Sequence, residues 1–265
     1  MSGIPVSAGA WAGRALGERT VAYTERDAIL YALAVGARPG RLDLVFEDRL
    51  RVLPTFGLTL AQWAPDILAE AGAFDARSVH GSQTLEVHEP LPRSGELTLS
   101  ARVGAVWDKG SAAVFEVVVE CRQFAATWSI FAPGSGGFGG DRGPGKAATA
   151  ERGEPRMLTL ETAENQAALY RLTGDRHHIH IDPEASARIG QPRPILQGLC
   201  TLGAATIPLA DAAGAHPADL TRLAGRFSGP VVPGDRLEIR SWSDGDFDVR
   251  RDETVVIDAG HVEFA

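Results

Sequence analysis

The chain has only two cysteines, Cys121 and Cys200, among 265 residues. Two thiols cannot staple a small secreted scaffold, so a disulfide framework is excluded and reduced, buried thiols are expected. Clustered cations are missing as well. Against 34 acidic side chains stand 26 basic ones, a formal net charge of −8, with no dense run of Lys or Arg. Nucleic acids and anionic membrane surfaces reward such runs, which argues against both as partners. A membrane-length apolar run is absent too. A long uncharged stretch, Pro194 to Ala210, is 17 residues long and carries Gln197, Thr201, Thr206 and Pro208. A span needs ~20 apolar residues. The start, Met1-Ser2-Gly3-Ile4-Pro5, shows no basic segment leading into an apolar one. No secretory leader is expected, and the expected compartment is the cytoplasm.

What is present is ordinary globular composition, 44% hydrophobic and 23% charged. At roughly 150 residues per domain the length amounts to about 1.8 domains. A seam shows where to divide it: residues 132–156 hold eight of the 30 glycines and three prolines, with no apolar periodicity. That composition favours turns over packed elements and reads as a connection between halves, 1–131 and 157–265. Within it, Gly134-Ser135-Gly136-Gly137-Phe138-Gly139 matches the G-x-G-x-x-G pattern of a dinucleotide loop. The pattern requires a helix behind it, and Gly140-Asp141-Arg142-Gly143-Pro144-Gly145 cannot be one, so no nucleotide role is assigned.

The halves resemble each other. Ala28-Ile29-Leu30-Tyr31-Ala32-Leu33 lines up with Ala167-Ala168-Leu169-Tyr170-Arg171-Leu172 at an offset of 139. Pro54-Thr55-Phe56-Gly57-Leu58 lines up with Pro194 to Leu199 with one residue inserted, and Pro90 and Gly95-Glu96-Leu97 match Pro230 and Asp235-Arg236-Leu237 at 140. Four matches in one order at nearly one offset indicate a duplication. Each copy begins with a short helix. Thr24 is the expected N-cap of the first, with Gly36 just past its end; the second runs through Tyr170 and stops at Gly174. Asp182-Pro183 looks like an N-cap followed by a first-turn proline, opening a helix that ends at Gly190. A longer helix, roughly Leu196 to Ala213, has so little polar surface that it must be buried on nearly all sides. Strand-like runs follow: Thr84–Val87, Glu96–Val106, Ala112–Arg122 and Thr127–Phe131, then Leu220–Val231, Arg236–Trp242 and a final run to Phe264. A buried helix wrapped by an antiparallel sheet, twice, is an α+β architecture.

The densest reactive cluster is Asp175-Arg176-His177-His178-Ile179-His180-Ile181-Asp182, with three of the seven histidines. Three readings compete for it. It can be a solvated loop. It can be a metal site, although zinc sites usually draw ligands from two segments, and His80, His88, His216 and His261 stand isolated. Or Asp175 and His180 form an acid–base dyad that holds one water and moves its protons near neutral pH. At the duplication offset Asp175 maps to Gly36 and His180 to Arg41, so the first copy has neither group. That asymmetry suits an enzyme better than a structural repeat. Cys200 falls on an apolar helix with no adjacent base, which argues against a nucleophile there.

Tyr170-Arg171-Leu172-Thr173-Gly174-Asp175-x-x-x-Ile179-His180-Ile181-Asp182-Pro183, then Pro194-Ile195-Leu196-Gln197-Gly198-Leu199-Cys200-Thr201-x-Gly203, closely resembles the signature of MaoC-like, R-specific enoyl-CoA hydratases, the type-2 hydratases. Leu53-Pro54-Thr55-Phe56, His80-Gly81, Gly136-Gly137-Phe138-Gly139-Gly140 and Phe227-Ser228 through Pro233-Gly234 extend the resemblance nearly end to end. It implies a double hotdog, with a degenerate N-terminal copy that makes room for a bulky acyl chain and a catalytic C-terminal copy. The implied reaction adds water to a trans-2-enoyl-CoA, giving the (3R)-hydroxyacyl-CoA, or runs in reverse, with neither metal nor other cofactor. Asp175 and His180 take the catalytic positions and the Gly198 N–H the oxyanion position. His177, Gln197 and Leu199 are expected to contact substrate. An acyl-CoA thioester is the implied partner, and a homodimer the implied assembly. Two departures bear on rate and specificity: His177-His178 replaces the family's usual Asn-Pro, and Gln197 replaces a common His. The alternatives are a hotdog thioesterase and a non-catalytic acyl-CoA-binding subunit of a hydratase complex.

Overall fold

Thr24 opens the first helix as its sequence suggests. In the computed structural model, which describes residues 7–145 and 152–265, its side chain accepts from the Asp27 N–H while Asp27 Oδ2 accepts from the Thr24 N–H at 2.9 Å. This closed capping box starts α1 (Glu25–Ala34), and Gly36 follows it at φ +89°. The expectation for Met1–Pro5, and residues 146–151 of the glycine-rich stretch, lie outside the described residues. Next come α2 (Leu42–Val45), α3 (Phe56–Leu60) and α4 (Trp63–Glu70). In the second half α5 (Gln166–Tyr170) tightens into a 3-10 turn, Arg171–Thr173, before Gly174. The Asp182 carboxylate accepts from the Glu184 N–H at 2.9 Å and opens α6 (Pro183–Arg188). The long helix, α7 (Gly198–Ala213), starts two residues later than the sequence pattern indicates.

Ten strands form one sheet: β1 (Ala15–Tyr23), β2 (Val79–Val87), β3 (Gly95–Asp108), β4 (Ala112–Glu120), β5 (Phe124–Pro133), β6 (Arg156–Glu161), β7 (Leu220–Phe227), β8 (Arg236–Ser241), β9 (Asp246–Arg251) and β10 (Thr254–Phe264). Their order is β1-β3-β4-β5-β2-β7-β10-β9-β8-β6. Read inward from either edge, both blocks follow the same path, so the duplication seen in sequence is a duplication of topology. The blocks join where β2 pairs antiparallel with β7, from Ser82↔Arg226 to Glu86↔Arg222. Helices α4 and α7 pack on the strands of their own halves. The architecture is a double hotdog. Edge strands β1 and β6 escaped the sequence reading because most of their residues are exposed, which leaves little apolar alternation to detect.

One apolar core crosses the seam. Tyr31 and Tyr170, twins under the duplication, meet there with ring centroids 6.0 Å apart. Helix α7 approaches α1 closely enough that a Cβ on Gly203 would sit 2.7 Å from the Tyr31 hydroxyl. Glycine is what permits the approach. Among the described residues no helix is long and apolar enough to cross a membrane, and both cysteines are free.

The glycine-rich stretch is anchored at its first end. The Asp108 carboxylate accepts the N–H groups of Gly110, Gly137 and Gly139, each at 2.8 Å. These bonds, that from Gly137 foremost, favour the charged form and hold its carboxyl down at about 2. The stabilisation is therefore complete above the ordinary carboxylate value near 3.9 and is lost as pH falls from there through about 2. Asp108→Ala should release the 134–140 loop at neutral pH. Limited proteolysis should then cut within that loop faster than in the parent, and equal cleavage rates would refute the anchor.

Candidate active site

The segment that carries the reactive cluster leaves α5 through Gly174, at φ +157° and ψ −57°. A Cβ here would stand 3.2 Å from the Thr59 carbonyl oxygen of α3, so the turn can run this close to the N-terminal half only as glycine. Asp175 follows, and its Oδ1 accepts the His177 N–H at 3.1 Å. A 3-10 turn, His178–His180, then places His180 inside, 8% exposed. Its Nδ1 lies 2.8 Å from the Ile195 carbonyl oxygen. A carbonyl only accepts, so Nδ1 carries the proton and Nε2 of the neutral ring keeps a lone pair. Nε2 faces Asp175 Oδ2 at 3.7 Å. Burial pushes the imidazole below its ordinary range, while the Asp175 charge pulls the other way. Two acceptors at this separation do not bond each other. A water beside them, about 2.8 Å from each, can donate one O–H to each.

The start of α7 is tied to the same segment. Ile195 N–H donates to Ile179 O at 3.2 Å, and Leu196 N–H to Val231 O at 2.7 Å. Gln197 is the N-cap residue but offers no side-chain cap; its amide is wholly buried and donates instead to Ala167 O at 3.3 Å. The Gly198 N–H makes no hydrogen bond among the described residues. It stands at the positive end of a 16-residue helix, where backbone donors favour developing negative charge. The Phe227 ring covers the glycine, and a Cβ there would sit 3.0 Å from two ring carbons.

The expected site residues thus divide. Asp175, His180 and Gly198 lie on segments that hydrogen bonds join. His177 is exposed, its ring centroid 6.2 Å from that of His180. Gln197 and Leu199, 0% and 4% exposed, lie in the packing beneath the site rather than in an open position to meet substrate. The Cys200 thiol is buried, which raises it well above its ordinary range. Among the described residues no group of three His, Cys, Asp or Glu side chains is arranged to hold a metal.

Sequence reasoning missed contributions from the N-terminal half. His80 was set aside as isolated, yet its ring packs on Phe227 with centroids 4.8 Å apart. Asp66 on α4 is close enough to Asp175 and His177 to feel both charges; burial first, then Asp175, raises its carboxyl. The pairing of β2 with β7 is what brings His80 to the C-terminal half. The His80-Gly81 match within the family resemblance was the one available signal.

The twin site has become something else. At the position of His180, Arg41 pairs with Asp43 and Asp211 at 3.0 Å, and His216 Nε2 meets Asp43 at 2.7 Å. Ion pairs thus bind α2 to the end of α7. Two cavities are also twins. One of about 240 Å³, lined by Tyr23, Leu30, Phe56, Leu60, Leu172 and Thr173, opens beside the turn that carries Asp175. The other, about 350 Å³, lies at Gly36 with Glu161, Thr162 and Leu169.

Two family descriptions divide the chain between them: the MFE-2 hydratase 2 N-terminal domain matches residues 21–134 and the MaoC-like domain residues 146–264. Enoyl-CoA hydratase ChsH3 of Mycobacterium tuberculosis is 39% identical over 84% of this chain and 84% of its own length. The mouse peroxisomal multifunctional enzyme type 2 is 38% identical over 95% of this chain, which spans 38% of that larger protein. Among solved structures, a MaoC-like dehydratase from Phytophthora capsici superposes with a TM-score of 0.84 at 26% identity, covering 96% of both chains. A Mycobacterium tuberculosis protein with a double hotdog fold superposes at 0.59 with 14% identity, over 96% of both chains, a likeness of fold alone. On the strength of these matches and of the paired segments described above, the chain belongs to the MaoC-like, hydratase-2 family.

Proposed function

We propose that the protein hydrates trans-2-enoyl-CoA to the (3R)-hydroxyacyl-CoA, or dehydrates it in reverse, at one site per chain. It is a hydro-lyase of the enoyl-thioester class, as its relatives are named. The observation that carries the finer reading is the 3.7 Å separation of His180 Nε2 and Asp175 Oδ2, with the ring's other nitrogen committed to Ile195 O. A water held by both acceptors has its oxygen lone pairs turned outward, toward the β-carbon of an enoyl thioester. As the C–O bond forms, one water proton passes to the dyad, which returns it to the α-carbon, so that OH and H add across the double bond and the dyad ends as it began. Negative charge gathers meanwhile on the thioester oxygen, for which the Gly198 N–H is the donor. Nothing in these steps asks the chain's residues for redox chemistry.

We propose that the acyl chain is accommodated by the N-terminal half, whose residues line most of the cavity beside Leu172 and Thr173. The free thiols are compatible with a reducing compartment, and we place the protein in the cytoplasm, although several relatives are named as peroxisomal. We also propose a homodimer, by resemblance to other hotdog proteins.

The test is a panel of trans-2-enoyl-CoAs of increasing length, followed by loss of enoyl absorbance, with the product offered to a dehydrogenase specific for (3R)-hydroxyacyl-CoA. Release of free thiol without that absorbance change would favour a thioesterase, and binding without conversion a non-catalytic subunit. The pH dependence is also set. His180 acts from its neutral form, and burial lowers its pKa below the ordinary 6.5. kcat/KM should stay flat from pH 8 down through about 6.5, then fall as the ring protonates. A limb that already falls above pH 7 would contradict a buried, neutral base.

A further inference from the structure

Strand β2 carries an irregularity where it pairs with β5: the register slips between His80 and Ser82. Gly81 fills the bulge, and a Cβ on it would lie 3.3 Å from the Ser129 carbonyl oxygen. A bulge turns a side chain away from the direction that plain alternation would give it, and bulges gather beside active sites for that reason. Here the side chain redirected is His80. Its Nε2 lies 3.0 Å from the Ser82 carbonyl oxygen, so Nε2 carries the proton and the ring is latched across the bulge. In that position the ring meets Phe227 of β7 edge-on, 4.8 Å between centroids at 66°. The Phe227 ring in turn lies against Gly198, near enough that a Cβ would be squeezed to 3.0 Å. Burial drives His80 down to about 4, with the nearby Asp175 charge opposing, so the ring is neutral wherever the dyad works and takes no proton in the cycle. Each link in this chain is a packed contact, and it runs from the N-terminal half to the first residue of α7.

We infer that His80 is a positioning residue: latched in the β2 bulge, it presses the Phe227 ring against Gly198 and so sets the direction of the Gly198 N–H. The inference rests on the proposed role of that N–H as donor to the thioester oxygen. It assigns the N-terminal half a part in the chemistry that its missing dyad does not suggest. A ring at position 227 held from one side only could tilt, and the helix start would move with it. A donor misaimed by a few tenths of an ångström weakens most in the transition state, where the oxygen carries most charge.

The test uses a chromophoric enoyl-CoA, 4-(dimethylamino)cinnamoyl-CoA, whose absorbance shifts to the red when its carbonyl oxygen accepts a strong hydrogen bond. The full-length protein is expected to shift it. His80→Ala and Phe227→Ala should each lose at least half the shift and lower kcat about tenfold, with KM changed less than about threefold. The double variant should fall no further than the worse single one, because both act through one contact. His80→Phe keeps a ring in the contact and should restore kcat to within about threefold of the parent. If the Ala variants do not fold, His80→Phe against Phe227→Leu carries the comparison, with the shift kept in the first and reduced in the second. An unaltered shift and kcat in His80→Ala overturns the inference, as does a double variant whose loss is the product of the single losses. A parent that hydrates enoyl-CoA yet never shifts the chromophore overturns it too, and locates the failure in the role of Gly198.

Discussion

Asp175→Asn and His180→Ala should each slow hydration by about 10²–10⁴-fold while the protein remains folded. Asn keeps the side-chain shape and the oxygen that accepts the His177 N–H at 3.1 Å. What it removes is a carboxylate facing Nε2, so the water of the proposed mechanism loses one of its two acceptors. His180→Ala removes the other, together with the bond to Ile195 O that links the dyad segment to the approach to α7. The double variant should be little slower than the worse single one, since in the proposed mechanism both groups hold the same water and act as a unit. Steady-state rates on crotonyl-CoA, with circular dichroism to establish folding, test this. A folded single variant that keeps the parent rate would remove the dyad from the mechanism.

Gly198→Pro should reduce kcat by about 10²–10³-fold and leave the helix in place. Residue 198 is the first of α7, where proline is tolerated because its missing N–H has no partner within the helix. The residue before it already has the extended backbone that a following proline demands, with Gln197 at φ −59° and ψ 136°. The substitution thus deletes one donor with little else changed in the backbone. Gly198→Ala is the control: it keeps the N–H and adds only the Cβ that presses on Phe227. The Ala variant should retain most of the activity that the Pro variant loses. Equal losses in the two would mean that packing, and not the N–H, is what position 198 supplies.

The duplication and the α+β class could be read from the chain because each rests on short runs of residues with their own local chemistry. Thr24 and Asp27 cap α1 from three residues apart, Asp182 and Pro183 open α6, and the near-absence of charge marks α7 as buried. The family resemblance rode on the same local runs. The edge strands β1 and β6 were not legible, because an exposed edge needs no apolar alternation. The final run also hid the turn at Asp252 that divides β9 from β10.

By itself, then, the sequence determined that two copies of one unit exist, that one copy has Asp175 and His180, and that the other has Gly36 and Arg41 in their place. Only the tertiary structure decided how the copies cooperate. The pairing of β2 with β7 sets His80 on Phe227 across nearly 150 residues of chain, and Arg41 finds Asp211 across 170. It also decided that Gln197 lies in the packing while the Gly198 N–H has no partner among the described residues. Capping and periodicity act over a few residues and leave their mark in local spacing. Contacts across a sheet seam depend on register and bulges, and those are set by the packing of the whole core.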